Sequence, residues 1–170
     1  HTYLRTEHDL AFQHLCHPFI SFVYLLENAD QGSDVFLSSP YLTDKHAIDQ
    51  LAHYAKPVQE NGSGLSIYIL LGPEEYNQQI IQSFVGDNMQ RFWAVHKLKI
   101  RNFGHIETKS QREKMVHSKG SVTSCGAMVG SYNYTWGSRL RHREDSNVLG
   151  PGSIASDVAK DIKEVWVAYT

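Results

Sequence analysis

A histidine, a lysine and an asparagine fall close together in this chain, in His117-Ser118-Lys119 and in Gly130-Ser131-Tyr132-Asn133. These side chains suit attack on a phosphodiester. An imidazole can take up phosphorus covalently, while an ammonium and an amide N–H stabilise the charge that builds on the non-bridging oxygens. His117, Lys119 and Asn133 are therefore candidate catalytic residues. On its own a histidine beside a strand is more often an ordinary polar residue than a nucleophile; its company changes the reading. Ser131 either donates to a phosphate oxygen or only stabilises its turn. Asn133-Tyr134-Thr135 is also a glycosylation sequon, but a place inside the reactive stretch argues for a buried site that a glycan would not fit.

The charge pattern points the same way. The formal net charge is only −2, yet residues 1–90 carry Arg5, Lys45 and Lys56 against eleven carboxylates, whereas residues 91–143 carry eleven cations against Glu107 and Glu113. A polyanionic substrate would be drawn to the basic half, which contains the histidine, lysine and asparagine. The plainer alternative is a set of solvated faces that offset an acidic first half. Phe92, Trp93, Phe103, Tyr132, Tyr134 and Trp136 lie in the same segment and could stack on bases, although more than half of them are expected in the core. His105, Lys114 and Arg139, with Ser131, are the candidate substrate-binding residues. His142 could join them along the groove.

These residues need a scaffold, and 170 residues with 41% hydrophobic and 20% charged content suffice for one sizeable core. A single domain spanning 1–170 is expected. Pro18 suits the first turn of a helix running to about Asn28, and Asp30 to Ser33 is turn chemistry. Val35 to Leu37 reads as a buried strand ending at Ser38-Ser39-Pro40. Asp44 can cap a helix with Ile48, Leu51, Ala52 and Ala55 on one face, and Leu65 to Leu71 is a strongly apolar strand. A helical region is expected after Pro73, continued or repeated over Met89 to Val95, then a strand at Lys97 to Arg101 and a polar stretch from Glu107 to Lys114. Short extended pieces follow at Met115 to His117, Ser121 to Ser124, Ala127 to Ser131 and Val148-Leu149. A last helix from about Ile154 to Tyr169 places Val158, Ile162, Val165 and Trp166 on one side. Alternating helices and strands argue for an α/β layer arrangement.

His117-x-Lys119 with Gly130-Ser131-x-Asn133 downstream resembles the histidine-lysine motif of the phospholipase D superfamily. The order of elements is similar over most of the chain. The resemblance implies a mixed β-sheet flanked by helices, and an acidic residue about a dozen positions beyond the asparagine, where Glu144 stands before Val148-Leu149. The family motif usually has a structural aspartate five residues after the lysine; Ser124 occupies that place, and the lysine-to-glycine interval is one residue short.

The implied mechanism needs two histidines, one to attack and one to donate a proton, and the chain has one motif. Small single-motif members of the family form a twofold homodimer with the site across the interface, which would set His117 against its symmetry mate. Lys119 and Asn133 would surround the phosphoryl oxygens, and Glu144 would fix the histidine tautomer. No metal or other cofactor is expected, because the fixed cations supply the charge stabilisation. The expected substrate is a nucleic acid, single-stranded if the dimer groove is narrow. The alternative substrate is an anionic phospholipid such as cardiolipin. A third reading, prompted by Ser124, is a catalytically silent dimeric nucleic-acid-binding or scaffold module.

Other patterns carry less. His8, His14, Cys16 and His17 do not form a standard zinc pattern, and Gly62-Ser63-Gly64 lacks the lysine of a P-loop. Cys16 and Cys125 are too few for a disulfide framework, which favours a reducing, intracellular setting. No apolar run approaches the roughly 20 residues of a bilayer span. The chain opens at His1 rather than at a methionine, which leaves room for an upstream signal, anchor or further domain.

Overall fold

The computed structural model describes residues 2–6, 9–14, 17–55, 64–72, 96–99, 105–109, 119–140 and 146–168. In chain order these form β1 (Thr2–Thr6), β2 (Asp9–His14), α1 (Pro18–Glu27), β3 (Asp34–Ser39), α2 (Lys45–Ala55), β4 (Ser66–Leu71), β5 (His96–Lys99), β6 (His105–Lys109), β7 (Gly120–Thr123), β8 (Gly126–Gly130), α3 (Trp136–Leu140), β9 (Ser146–Leu149) and α4 (Ser153–Ala168). Among the described residues nine strands make one mixed sheet, ordered β2-β1-β9-β8-β7-β3-β4-β6-β5. The expected layer arrangement of a mixed sheet flanked by helices is observed.

Both faces of the central strands are covered, which is why β3 and β4 read as almost continuous apolar runs. Alternation sends Val35, Leu37, Ile67, Ile69 and Leu71 into the larger core, where Phe22, Leu25 and Leu26 of α1 and Ile48, Leu51 and Ala55 of α2 meet them. Phe36 and Leu70 go to the other face, under Trp166 of α4. Beside them Val122, Ala127 and Leu149 bury against Ala155, with Val158 and Ile162 packed alongside. The α2 face expected from sequence is the buried one. On α4, Trp166 is buried and Val158 and Ile162 pack on the sheet, while Val165 is exposed.

Local chemistry sets the ends of these elements. Pro18 occupies the first turn of α1, and the Nδ1 atom of His17 accepts from the Phe19 N–H at 3.1 Å as its N-cap. Asp44 caps α2 by accepting from the His46 N–H at 3.1 Å. The β7–β8 hairpin turns at Gly126, with φ +153°, where a Cβ would sit 2.2 Å from the Leu149 carbonyl oxygen. Only glycine fits that turn without displacing β9.

Strands β1, β2 and β6 were not anticipated. Their pairing is non-local, as in the parallel register of β1 on β9 from Thr2↔Ser146. The polar reading from Glu107 onward hid β6, whose Ile106, Glu107 and Thr108 pair with Ile67, Tyr68 and Ile69. The expected helical regions after Pro73 and at Met89 to Val95, and the extended piece at Met115 to His117, lie outside the described residues. No helix among the described residues is long and apolar enough to cross a membrane.

Candidate active site

Register brings Lys119 and Gly130 to one edge of the sheet. Strand β7 runs antiparallel to β3, so Gly120 lies opposite Ser38, and Lys119 immediately precedes it. Gly120 also faces Val129 of β8, and Gly130 at the end of β8 faces Ser146 at the start of β9. The C-terminal ends of β3, β4 and β8 and the N-terminal ends of β7 and β9 therefore share this edge. Here Lys119, Gly120, Met128, Val129, Gly130, Tyr132, Tyr134 and Ser146 surround a narrow crevice, packed too tightly to admit a water molecule.

The loop that carries Asn133 is held from below by aromatic rings. Tyr132 and Tyr134 are buried and pack edge-on at 5.2 Å between centroids, and Tyr134 meets Phe22 of α1 at 4.8 Å. The His17 ring stands edge-on to Tyr132 at 5.9 Å. From the side, the Tyr134 carbonyl accepts the N–H groups of Thr43 at 2.9 Å and Asp44 at 3.0 Å, and Leu42 forms a parallel bridge with Tyr134. The loop after β3 and the loop after β8 are thereby joined. The tyrosines flanking Asn133 alternate into the core, which sets the amide between two fixed anchors.

A largely buried ion pair completes the frame. Asp44 is 1% exposed and Arg139 16% exposed, with the Arg139 Nε donating to Asp44 Oδ2 at 2.5 Å. The same guanidinium lies over the Phe19 ring at 5.6 Å. Asp44 thus caps α2 with one oxygen and receives α3 with the other. Thr135 starts α3 by accepting from the Ser138 N–H at 3.1 Å.

Several of the expected site residues come together here. Lys119 and Asn133 are half-buried and Ser131 is exposed, all at this edge. The Asn133 Oδ1 is buried and makes no hydrogen bond among the described residues. Burial pushes the Tyr134 phenol upward, and the neighbouring Ser121 hydroxyl draws it partly back. The two hydroxyls are close, yet neither completes a hydrogen bond of good geometry. Arg139 reaches the same region but spends its Nε on Asp44. His117, Lys114, His142 and Glu144 lie outside the described residues. His105 is not brought to this edge: it pairs with Ser66 in β4 and Lys99 in β5, at the opposite end of the sheet. Ser66 to Leu71 separates the two ends by roughly 17 Å of strand, so the groove position expected for His105 is not where its backbone lies. His17, weighed from sequence only as a zinc ligand, stands beside Tyr132; no local sequence signal connects the two.

Residues 23–166 match the family described as "Cardiolipin synthase, PLD-like domain". The chain belongs to the phospholipase D superfamily. No curated protein sequence matches it. Among solved structures, it is similar to Nuc, a phospholipase D family member from Salmonella typhimurium, with TM-score 0.63 and 11% identity over 89% of this chain and 88% of that one. It is also similar to NucT from Helicobacter pylori, with TM-score 0.54 and 11% identity over 89% and 86% of the two chains. These likenesses carry the phospholipase D fold. With the family match they support a phosphodiesterase-type function.

Ser124, which replaces the aspartate usual in the phospholipase D motif, has a structural place. Its Oγ accepts from the Asp30 N–H at 2.7 Å and lies 3.4 Å from the Ser33 Oγ. It ties the β7–β8 turn to the turn between α1 and β3, at the far end of β7 from Lys119. The substitution does not touch the crevice.

Proposed function

We propose that the protein is a phosphodiesterase that cleaves nucleic-acid backbones through a covalent phosphohistidine, with its site completed across a homodimer. The observation that supports this reading is the register that brings Lys119, next to Gly120, to the same end of the sheet as Gly130, from which the loop carrying Ser131 and Asn133 leaves. His117 precedes Lys119 by two residues, and Glu144 precedes Ser146 by two.

In this mechanism neutral His117 attacks phosphorus and the leaving oxygen departs with a proton from His117 of the partner subunit. Water then attacks the phosphohistidine, giving its proton back to that second imidazole, and His117 is released. Lys119 and the Asn133 amide hold the non-bridging oxygens as charge builds, and Ser131 can donate to one of them. Glu144 would accept the other N–H of a histidine and fix its tautomer. Lys114, and the part of the Arg139 guanidinium not used by Asp44, would steer the polyanion. Lysine and amide donors supply the charge stabilisation, so the reaction proceeds without a divalent ion.

The test is cleavage of labelled single-stranded DNA and RNA in EDTA by wild type and His117→Ala at matched dimer content. Cutting that disappears in the variant supports the proposal. The family's description favours one second reading, hydrolysis of an anionic phospholipid such as cardiolipin. Headgroup release by wild type, with no oligonucleotide cleavage, would select it. Binding of oligonucleotides without turnover of either substrate would instead mark a silent module.

A further inference from the structure

We propose that Trp136 is the platform on which a base next to the scissile phosphate stacks, so that the site grips single-stranded nucleic acid through a base as well as through its backbone. This rests on the nuclease reading above. Tyr132 and Tyr134 are 2% and 0% exposed and are committed to the core, whereas Trp136 is 45% exposed. Among the described residues it is the aromatic of the basic segment that a ligand can reach.

Position and rigidity both suit the role. Trp136 follows Asn133 by three residues, so their Cα atoms are at most roughly 11 Å apart. That keeps the indole within reach of a nucleotide adjoining the one held by the amide. Its mount is fixed: Thr135 caps α3, Arg139 pins the helix to Asp44, and the Tyr134 carbonyl binds the start of α2. A ring carried on a fixed backbone loses less freedom when a base settles on it than one on a loose loop, which preserves the stacking gain. Leu140, one turn on and 54% exposed, continues the apolar surface along α3. One aromatic face on a five-residue helix matches a single base better than the broad apolar face that enters a bilayer.

The experiment measures kcat and KM for a labelled single-stranded oligonucleotide, intact or with an abasic position moved through the nucleotides flanking the cleaved bond. Wild type, Trp136→Ala and Trp136→Phe are compared after thermal melting shows that each is folded. The abasic position and Trp136→Ala should each raise KM roughly 10-fold with kcat little changed. Combined they should cost no more than either alone, and Trp136→Phe should keep most of the affinity. Additive losses, or wild-type KM in Trp136→Ala on both substrates, would overturn the assignment while leaving the nuclease reading intact. Wild type that neither binds nor cuts any oligonucleotide would remove both. Weaker binding of Trp136→Ala to phosphatidylcholine–cardiolipin vesicles, with oligonucleotide kinetics unchanged, would also overturn it by assigning the ring to a membrane surface.

Discussion

At the residue scale, a group proposed for catalysis and a group committed to packing carry different burdens, and substitutions should separate them. Glu144 is proposed to orient a histidine rather than to support the core, so Glu144→Gln should lower kcat about 10-fold or more with an unchanged melting temperature. Wild-type turnover in that variant would remove the role. Tyr134 is the converse, a group whose work is packing. An unfolded tyrosine ionises near about pH 10, and burial holds the folded phenol above that range. Above this pH the unfolded chain sheds a proton that the folded chain keeps, so stability falls as pH rises. Tyr134→Phe should flatten this alkaline decline, read as the urea midpoint between about pH 8 and about pH 11.

At the element scale, two side-chain ties fix how helices and turns meet the sheet, and they differ in worth. The Asp44–Arg139 pair, buried at its carboxylate and partly buried at its guanidinium, joins the start of α2 to α3. Asp44→Ala and Arg139→Ala should each cost about 3 kcal/mol, because removing one partner strands a buried charge or its donor. The double variant should cost less than the sum, as measured by denaturant unfolding. Ser124 makes a hydrogen bond at the exposed end of a hairpin. Ser124→Ala should cost at most about 1 kcal/mol and leave kcat/KM unaltered. A catalytic loss there exceeding the stability change would show that the turn communicates with the crevice.

At the scale of the whole molecule, the proposed site across a homodimer would make activity a property of the pair. If each site draws one His117 from each subunit, wild-type subunits exchanged into an excess of His117→Ala protein should lose activity in step with their capture in mixed dimers. Activity that merely dilutes would show that one subunit suffices. In that pair one imidazole would be neutral and the other protonated, so the pH–rate profile should be bell-shaped. Rising salt should weaken binding of a polyanion to the basic segment.

Hydrophobic periodicity and end chemistry were sufficient, from sequence alone, for α1, α2, β3, β4 and α4. Each of these buries a continuous stripe or run, and Pro18, Asp44 or a glycine marks an end. The pairing of His117-x-Lys119 with Gly130-Ser131-x-Asn133 is a reading from residue type and short spacing, and His117 lies outside the described residues. Tertiary structure alone decided which of these groups are neighbours. Parallel and antiparallel registers put Lys119 and Gly130 at one end of the sheet and His105 at the other, although His105 is near Lys119 in sequence. The bond from Ser124 to the Asp30 N–H spans 94 residues, and the pairing of Arg139 with Asp44 spans 95. Such contacts leave no local trace, since their energy comes from groups that only the folded chain brings within hydrogen-bond distance. The exposure of Trp136 beside two buried tyrosines was decided the same way, by which side chains the packed core had room to accept.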